Sequence, residues 1–335
     1  MAIRWIEGFR YRQANLPLDY AVAGAGSVAV AELSARRAGC YAATLTTYSL
    51  TRTVSLDTAQ AIVGFAYKWT SGATTLCHFM EGSTTHCSLG ITAGGVLTVY
   101  RGDSGGTSLG TGSTLVTGTV YYIEIDATVH DSTGAVVVNV DDVEDINLTS
   151  QDTQNGGTET IDGIRLEGGA GGDVFADFYI IDPADAAGRQ TMKGSGARVD
   201  CRIPISAGSQ TDCLANTGTN YAAVDDDGYD SDTTYVSSQV SGARDLYVAT
   251  QMTHNPQSVD AIQVHLVAKK VDSAARSIVP VVRAPDATTT AGTEVVLTTS
   301  YAAMSDIYES GGALDDGGAW TQQGVNQRQF GFEIV

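Results

Sequence analysis

TVYYIEIDATVHDSTGAVVVNVDDVED, residues 119–145, is the stretch that decides the fold class. Its first part, 119–131, sets polar Glu124 and Asp126 between apolar neighbours, so the two kinds of side chain alternate. A period of two is the signature of an extended strand with one buried face. The turn letters STG follow, and 135–145 returns as a second alternating run. The stretch therefore predicts an antiparallel hairpin.

The same alternation between turn residues recurs along the whole chain. Glycine is abundant, with 38 residues, and proline is rare, with 6, as expected for many strands joined by tight turns. A helical turn is predicted only at 322–327. The further predicted strands are 61–69, 74–80, 86–93, 94–102, 173–182, 197–206, 244–252, 260–272, 276–285, the beginning of 292–310, and 330–335.

Fold class and domains follow from this pattern. We predict an all-β protein of two antiparallel β-sandwich, jelly-roll-like domains in tandem, since 335 residues suffice for two cores. The first domain spans 1–182 and the second 197–335. The stretch PADAAGRQTMKGSG, 183–196, has no apolar periodicity, so we predict a linker there that proteases cut.

Charge and hydropathy exclude several classes of partner. The formal net charge is −19, which repels phosphates and argues against a nucleic-acid groove. No apolar run approaches the ~20 residues that span a bilayer, so no membrane partner is predicted. The opening letters MAIRWIEGFRYRQ lack the apolar core of a signal peptide. We therefore expect a protein that is made in a cytoplasm and stays there or leaves by a route such as lysis.

The chain has five cysteines, an odd and small number, so a disulfide scaffold is not predicted. The spacing of two of them suggests a hairpin. In LCHFMEGSTTHC, 76–87, a symmetric hairpin sets Cys77 opposite Cys87 and His78 opposite His86. Neighbouring strand residues point to opposite faces, so the two thiols and the two imidazoles do not converge on one zinc ion. The cysteine pair is predicted to be buried, and whether any of the five thiols is oxidised stays open.

An acidic stretch, DDDGYDSDTTYV at 225–236, raises the question of calcium. The ligand spacing of an EF-hand fails here, because the twelfth position carries no acid. An open calcium site using Asp225, Asp227 and Asp230 remains the alternative. A glycosidase needs one desolvated acid of a pair, and a solvated turn supplies none. We interpret the stretch as a turn leading into a strand.

Other candidate chemistry is weak. The letters RGDSGG at 101–106 are interpreted as a turn after a strand rather than as a protease nucleophile. Trp5, Trp69 and Trp320 lie in or beside strand patterns, so they are predicted to be core residues rather than sugar-stacking platforms. No catalytic, cofactor-binding or metal-binding residue is assigned. An enzyme is therefore not expected.

A family resemblance emerges from the segment GVLTVYRGDSGGTSLGTGSTLVTGTVYYIEIDATVHDSTGAVVVNVDDVE, 95–144. It resembles the concanavalin A-like, laminin-G-like sandwich, as does the opening EGFRYR at 7–12. Roughly residues 4–182 share this likeness. Val120 stands where the family usually carries Trp, which removes a core aromatic but keeps the strand pattern.

The second half adds a more specific likeness. ARVDCRIPISAGSQTDCLANTGTNYAAVDDDGYDSDTTYVSSQVSGARDLY, 197–247, and GGAWTQQGVNQRQFGFEIV, 317–335, resemble the module that follows this sandwich in tailed-bacteriophage structural proteins. Cys213 replaces the aromatic residue of that pattern. The resemblance implies a virion protein on the surface of the head or the tail.

The expected function follows from this resemblance. We expect a non-enzymatic structural component of a tailed-phage virion, a capsid decoration or tail-fibre type of protein made in the cytoplasm of the bacterial host. Its partners would be major capsid or tail proteins and further copies of itself, a trimer being favoured by the threefold sites of phage heads and fibres. The alternative is a carbohydrate-binding adhesin that recognises a host surface glycan. Head or tail location, oligomeric state and the docking domain stay open.

Overall fold

The protein is described here by a computed structural model that covers residues 2–10, 16–184, 191–252, 254–310 and 320–335. Its chain divides into two compact units, Met1–Asp200 and Cys201–Val335. Antiparallel strands make up nearly all regular structure in both, which confirms the all-β class. The described residues of the predicted linker, 183–184 and 191–196, belong to the first unit.

Fifteen strands and one short helix form the described part of the first unit. They are β1 (Ile3–Glu7), α1 (Leu16–Asp19), β2 (Ala21–Ala23), β3 (Ser27–Glu32), β4 (Tyr41–Thr46), β5 (Tyr48–Thr58), β6 (Gln60–Lys68), β7 (Thr74–Glu81), β8 (Thr84–Ile91), β9 (Val96–Arg101), β10 (Thr107–Thr114), β11 (Val120–Thr128), β12 (Gly134–Val140), β13 (Val143–Gln151), β14 (Ile161–Gly168) and β15 (Asp173–Ile181).

Two antiparallel sheets arrange these strands as a sandwich of the jelly-roll type. Sheet A has the order β13-β12-β11-β6-β15-β4-β3, and β1 also pairs with β15. Sheet B has the order β10-β9-β8-β7-β14-β5-β2. Consecutive strands such as β7 and β8, or β11 and β12, are neighbours in one sheet. The chain also crosses between the sheets by single residues, Thr47 from β4 to β5 and Ala59 from β5 to β6.

The core lies between the two sheets and follows from the alternation in each strand. From sheet A, β6 contributes Ala61, Val63, Phe65 and Tyr67, all fully buried. From sheet B, β8 contributes every second residue in the same way: Cys87, Leu89 and Ile91. Trp5 and Trp69 belong to this core, so they are not exposed platforms.

The outer face of sheet A is covered by the chain itself. Residues 191–200, which we call the strap, lie on it as an extended segment without regular structure. Glu124 points outward from β11, yet its exposed fraction is only 1%. Its Oε1 accepts the backbone N–H groups of Lys193 and Gly194 at 2.5 and 2.9 Å, and the hydroxyl of Tyr179. The strap is therefore bound to the sheet through a buried carboxylate.

Asp177 holds the other end of the strap. It lies in β15 with φ of 47°, where the register with β6 shifts, and it is 1% exposed. Its carboxylate accepts Arg36 Nε at 2.9 Å, Arg37 Nη2 at 2.6 Å and the N–H of Val199 at 2.9 Å. Arg36 also donates to the carbonyl oxygens of Ser195 and Ala197. The basic pair thus has a structural use inside this unit.

The second unit is built on a six-stranded sheet. Sheet C has the order β16-β19-β25-β21-β22, and β23 also pairs with β21; β17 pairs with β18, and β20 with β24. The elements are β16 (Pro204–Thr211), β17 (Leu214–Ala215), a 3-10 helix (Tyr221–Ala223), β18 (Val236–Ser237), β19 (Arg244–Ala249), β20 (Ala261–Ala268), β21 (Ser277–Arg283), β22 (Thr289–Ala291), β23 (Val295–Val296), β24 (Ala302–Glu309), α2 (Gln322–Gln327) and β25 (Gln329–Ile334).

The β20–β24 ribbon packs on one face of sheet C and closes a small core. Tyr308 of β24 and Val282 of β21 lie in this core with Trp320, which is 4% exposed. The predicted helical turn at 322–327 is α2, capped by the side chain of Thr321. Among the described residues, no helix is long and apolar enough to span a membrane.

Three predicted strands differ from the structure. The run 135–145 is not one strand but β12 and β13, because Asp141 and Asp142 both take positive φ (49° and 68°) and form a two-residue hairpin turn. In 197–206 the strand begins only at Pro204, since the preceding residues belong to the strap or follow it. In 292–310 the segment expected to be irregular forms most of β24, while the early strand is the two-residue β23.

Candidate functional site

A polar groove opens at the end of sheet B where two hairpins turn. We call it the sheet B groove, and its volume is about 500 Å³. Two arginines, one aspartate, an asparagine, hydroxyl side chains and glycines line it: Ser83, Thr84, Thr85, Arg101, Gly102, Asp103, Gly105, Gly106, Thr107, Asn155 and Arg165. A volume of this size falls within the range of small-molecule sites.

The order of strands in sheet B places Arg165, which lines the groove, in a row of polar side chains. Antiparallel register aligns Arg165 of β14 with His78 of β7, His78 with Ser88 of β8, and Ser88 with Tyr100 of β9. These residues form one row across four strands, on the face opposite the core. Polar side chains separated by up to 87 positions in sequence therefore share one surface.

Arg165 is oriented by a buried histidine. His78 is 1% exposed, and its Nδ1 lies 2.7 Å from Arg165 Nη2, while its Nε2 lies 3.3 Å from Glu167 Oε2. Burial lowers the pKa of His78, so the ring is neutral near pH 7. The neutral ring accepts from Arg165 at Nδ1 and donates from Nε2 to Glu167. The hydrogen bond from His78 in turn lowers the pKa of Glu167.

Arg101 lies at the opposite side of the groove. It forms an ion pair with Asp152 through Nη1, and its side chain is 39% exposed. The turn that follows β9 is fixed by Asp103, whose Oδ1 accepts the N–H of Gly105 at 2.9 Å and whose carbonyl accepts that of Gly106. The stretch 101–106 is thus a turn, as predicted, and it forms one wall of the groove.

A loop after β13 forms a further wall. Asn155 donates its side-chain N–H to the carbonyl of Thr85 at 3.1 Å and its backbone N–H to His86 Nδ1 at 3.2 Å. His86 is completely buried, and its Nε2 lies 3.4 Å from Glu81 Oε2. The hydroxyl of Thr158 bonds Glu81 and lowers the pKa of that carboxyl. The walls are therefore tied to the sheet before any ligand binds.

The cysteine register differs from the symmetric hairpin. The turn lies at Gly82–Ser83, and a bulge between Phe79 and Met80 adds one residue on β8, so Phe79 faces Cys87 and Cys77 faces Leu89. Both thiols lie in the core and are free, and burial raises the pKa of Cys87 to about 12. His78 faces Ser88, not His86, so the two imidazoles are not paired across the hairpin either.

The acidic stretch in the second unit forms a turn. Asp230 accepts the backbone N–H of Thr234, and the carboxylates of Asp226 and Asp230 lie 3.0 and 2.8 Å from its Oγ1. Asp232 pairs with Lys269 at 2.7 Å. The three acids of the alternative calcium site, Asp225, Asp227 and Asp230, do not bring their oxygens within 4.8 Å of one another. The stretch is built from internal hydrogen bonds.

One group in the described part of the chain places three potential metal ligands within 4.8 Å of each other, namely His130, Asp131 and Glu159. The Nδ1 of His130 already accepts the backbone N–H groups of Ser132 and Thr133 at 3.0 and 3.1 Å. Its Nε2 lies 3.7 Å from Glu159. We interpret this group as a turn cap, because the imidazole lone pair is engaged.

Sequence reasoning assigned no site residue and missed the whole groove. Arg101 and Asp103 fell within the turn letters, and nothing in the local pattern around Asn155 or Arg165 indicated binding. The signal that could have found them is the alternation of β14, which sets Arg165 and Glu167 on the face opposite to Leu166. That alternation indicates a shared surface only when the neighbours of β14 in the sheet are known.

Comparisons with known proteins find similar solved structures at low sequence identity. No protein-family model matches the chain, and no curated protein matches it. Galectin LEC-6 of Caenorhabditis elegans is 12% identical, with 39% of this chain and 88% of that one covered and a TM-score of 0.29. A Bacillus subtilis protein of unknown function with a galectin-like fold is 11% identical, with 54% and 96% covered and a TM-score of 0.38.

A third similar structure is domain 4 of AbnA, an extracellular arabinanase of Geobacillus stearothermophilus, in complex with arabinotriose. It is 16% identical, with 54% of this chain and 92% of that one covered and a TM-score of 0.38. Identities and TM-scores this low carry no function to the present chain. The assignment of a jelly-roll type of sandwich rests on the two sheets themselves.

Proposed function

We propose that the chain is a non-enzymatic surface component of a tailed-phage particle, in contact with capsid or tail proteins and with copies of itself. The proposal rests on the resemblance of 197–247 and 317–335 to the module of phage structural proteins. One structural observation bears on catalysis at the groove. His78, which contacts Arg165 of the groove lining, is 1% exposed and has both ring nitrogens engaged, so this imidazole is not an accessible general base.

The test is binding of the purified chain to particles assembled without it. Particles that recover the protein in a fixed stoichiometry, seen by gold labelling in negative-stain microscopy at head or tail, would support the proposal. Assembled particles that never take up the protein would refute it. The same preparation should release no reducing ends from polysaccharides.

A second candidate function is saccharide binding in the sheet B groove, which the composition of that groove favours. Planar polar groups of Arg101, Asn155 and Arg165 can form paired hydrogen bonds with adjacent hydroxyls or charged groups of a sugar. Tyr100 is half-buried at the other end of the row that contains Arg165, and its ring lies against Gly90. An aromatic face beside polar groups is a common way to bind a pyranose ring.

Glycan-array binding by the full chain tests this second function. The wild type should bind a defined set of oligosaccharides, and Asn155→Ala should weaken that binding because an amide lining the groove is lost. A charge-neutral change outside the groove, Asn216→Ala in the second unit, is the matched control. Binding by both variants at the wild-type level would show that the sugar binds outside the groove.

A further inference from the structure

We propose that the sheet B groove takes an acidic oligosaccharide, with one carboxylate or sulfate group at Arg165 and another at Arg101. The inference rests on the second candidate function, saccharide binding, and names its ligand class. The two arginines mark the two sides of one groove. Arg165 stands at one end of a row of four strands and Arg101 next to its other end. Three strand spacings separate those ends by about 14 Å.

The lining of the groove is cationic in a strongly acidic protein. The chain carries 38 acidic and 19 basic side chains, yet the groove is lined by two arginines and a single acid, Asp103. The Oδ1 of Asp103 accepts the N–H of Gly105, which ties that carboxylate to its own turn. Two guanidinium groups that face one groove, while their acidic partners lie outside its lining, favour an anionic ligand over a neutral one.

Three further carboxylates lie around the groove, and each has a partner. Glu167 accepts a hydrogen bond from His78 and lies 3.5 Å from Arg165 Nε, and Asp152 forms an ion pair with Arg101. Glu81 accepts hydrogen bonds from the hydroxyls of Thr158 and Thr160. None of these three acids lines the groove itself. They orient the groups that do, in the way that outer partners orient the residues that touch a ligand.

Arg165 is held ready by this arrangement. The chain Glu167–His78–Arg165 uses the terminal nitrogen Nη2 of the guanidinium, and the buried Nε of Arg165 lies 3.5 Å from Glu167 Oε2. A fixed guanidinium with unused donors matches the planar pair of oxygens of a carboxylate or a sulfate. The buried His78 holds Arg165 in one orientation, and a fixed orientation is an advantage if Arg165 binds an anion in a single geometry.

Glycines in the wall allow a sugar chain to approach the backbone. A Cβ on Gly106 would lie 1.9 Å from the carbonyl oxygen of Arg101, so no side chain fits there. Gly102 takes φ of 79°, a region that favours glycine. The wall between Arg101 and Thr107 therefore contains three residues without side chains, Gly102, Gly105 and Gly106, which leave the groove open along this wall.

Calorimetry on the full chain tests the inference with three probes of equal length: tetragalacturonate, which carries carboxylates, a sulfated carrageenan tetrasaccharide, and a neutral galactotetraose. At 20 mM salt we expect at least one acidic probe to bind tenfold or more tightly than the neutral probe. Arg165→Gln and Arg101→Gln should each weaken the acidic probe by 10-fold to 100-fold, because a hydrogen bond to a charged group is lost. The two acidic probes distinguish carboxylate from sulfate recognition.

Arg283→Gln in the second unit is the matched control, since it removes the same charge away from the groove. It should leave affinity within twofold, and circular dichroism should show all three variants folded. A neutral probe that binds as tightly as the acidic ones overturns this inference and leaves saccharide binding standing. Affinity unchanged in both groove variants also overturns it. Absence of binding by every probe overturns the inference and the saccharide function together, while the particle assay decides the virion proposal separately.

Discussion

At the scale of single residues, Asp177 has the most demanding environment in the first unit. Its φ of 47° is unusual for a side chain with a Cβ, and its carboxylate is buried against two arginines. Arg36 and Arg37 retain only 14% and 13% exposure of their side chains. Such an arrangement is stable only while both signs of charge are present.

We predict that Asp177→Ala destabilises the first unit by about 3–5 kcal/mol, because it leaves two buried guanidinium groups without their anion. Asp177→Asn keeps the tolerance for positive φ and removes only the charge, so it separates the two contributions. Urea unfolding followed by tryptophan fluorescence measures both. Asp131→Asn, at a side chain 72% exposed, is the control and should stay within about 0.5 kcal/mol. An equally small effect at Asp177 would refute the structural importance of this residue.

The burial of His78 predicts how the free energy of unfolding depends on pH. Burial lowers the pKa of His78 in the folded chain below the value of about 6.5 that it has when unfolded. The unfolded state therefore binds the proton more readily, so this contribution to stability is present above pH 6.5 and is lost as the pH falls below it. Between pH 6.5 and 5 the free energy of unfolding should fall with a slope of at most about 1.4 kcal/mol per pH unit.

The variant His78→Gln isolates this effect, because glutamine does not titrate in that range. Its unfolding free energy should depend less on pH between 6.5 and 5 than that of the wild type. Glu167, the partner of His78, has a lowered pKa and titrates below this window. Identical pH profiles for both proteins would show that the imidazole is not buried as described.

At the scale of elements, local patterns predicted strands well and turns less well. The hairpins β7–β8 and β11–β12 follow directly from period-two alternation. The break between β12 and β13 was missed, because Asp141-Asp142 lacks the glycine of the usual Asn-Gly or Asp-Gly hairpin turn. The cysteine register was missed because a bulge leaves no mark in the alternation of either strand.

The sheet B groove lay beyond sequence reasoning for a different reason. Arg101 and Arg165 are 64 positions apart, and only the order β9-β8-β7-β14 places them on one surface. Strand order in an antiparallel sandwich depends on long-range pairing, which local periodicity does not encode. The fold class was therefore readable from the sequence, and the site was not.

The contacts of the strap lead to a prediction about proteolysis. Its stretch was expected to be a protease-sensitive linker, yet Glu124 binds the N–H groups of Lys193 and Gly194. We predict that trypsin cuts the native chain slowly after Lys193, since a bound backbone must open locally before it fits a protease. Glu124→Ala should accelerate this cut at least tenfold, because two hydrogen bonds to a buried carboxylate are lost.

Mass spectrometry of timed digests gives the rate at Lys193 directly. Glu144→Ala is a suitable control, as that acid lies on exposed β13 and bonds only Asn147 in the contacts described. Rapid cutting of the wild type after Lys193 would instead support the flexible linker that the sequence suggested.

At the scale of the whole molecule, each unit has its own core, and the charge is spread over both. Acidic residues outnumber basic residues twofold over the whole chain, 38 to 19, so copies of the chain repel one another at low ionic strength. Several of the basic residues are committed to internal ion pairs, such as Arg36 and Arg37 with Asp177. Contacts between copies would therefore depend on short-range apolar and polar surfaces rather than on long-range attraction.

This balance predicts how self-association responds to salt. If the chain forms the homo-oligomer, favoured as a trimer, that the virion proposal requires, its association should strengthen as salt is raised from 20 to 300 mM, because the Debye length falls from roughly 20 Å to below 8 Å and screens the repulsion. Sedimentation equilibrium measures the association constant at each salt concentration. Lys269→Glu, which adds charge of the repelling sign, should weaken association most at low salt. A chain that stays monomeric at every salt and protein concentration would refute the homo-oligomer, and association that weakens with salt would show that oppositely charged surfaces hold the copies together.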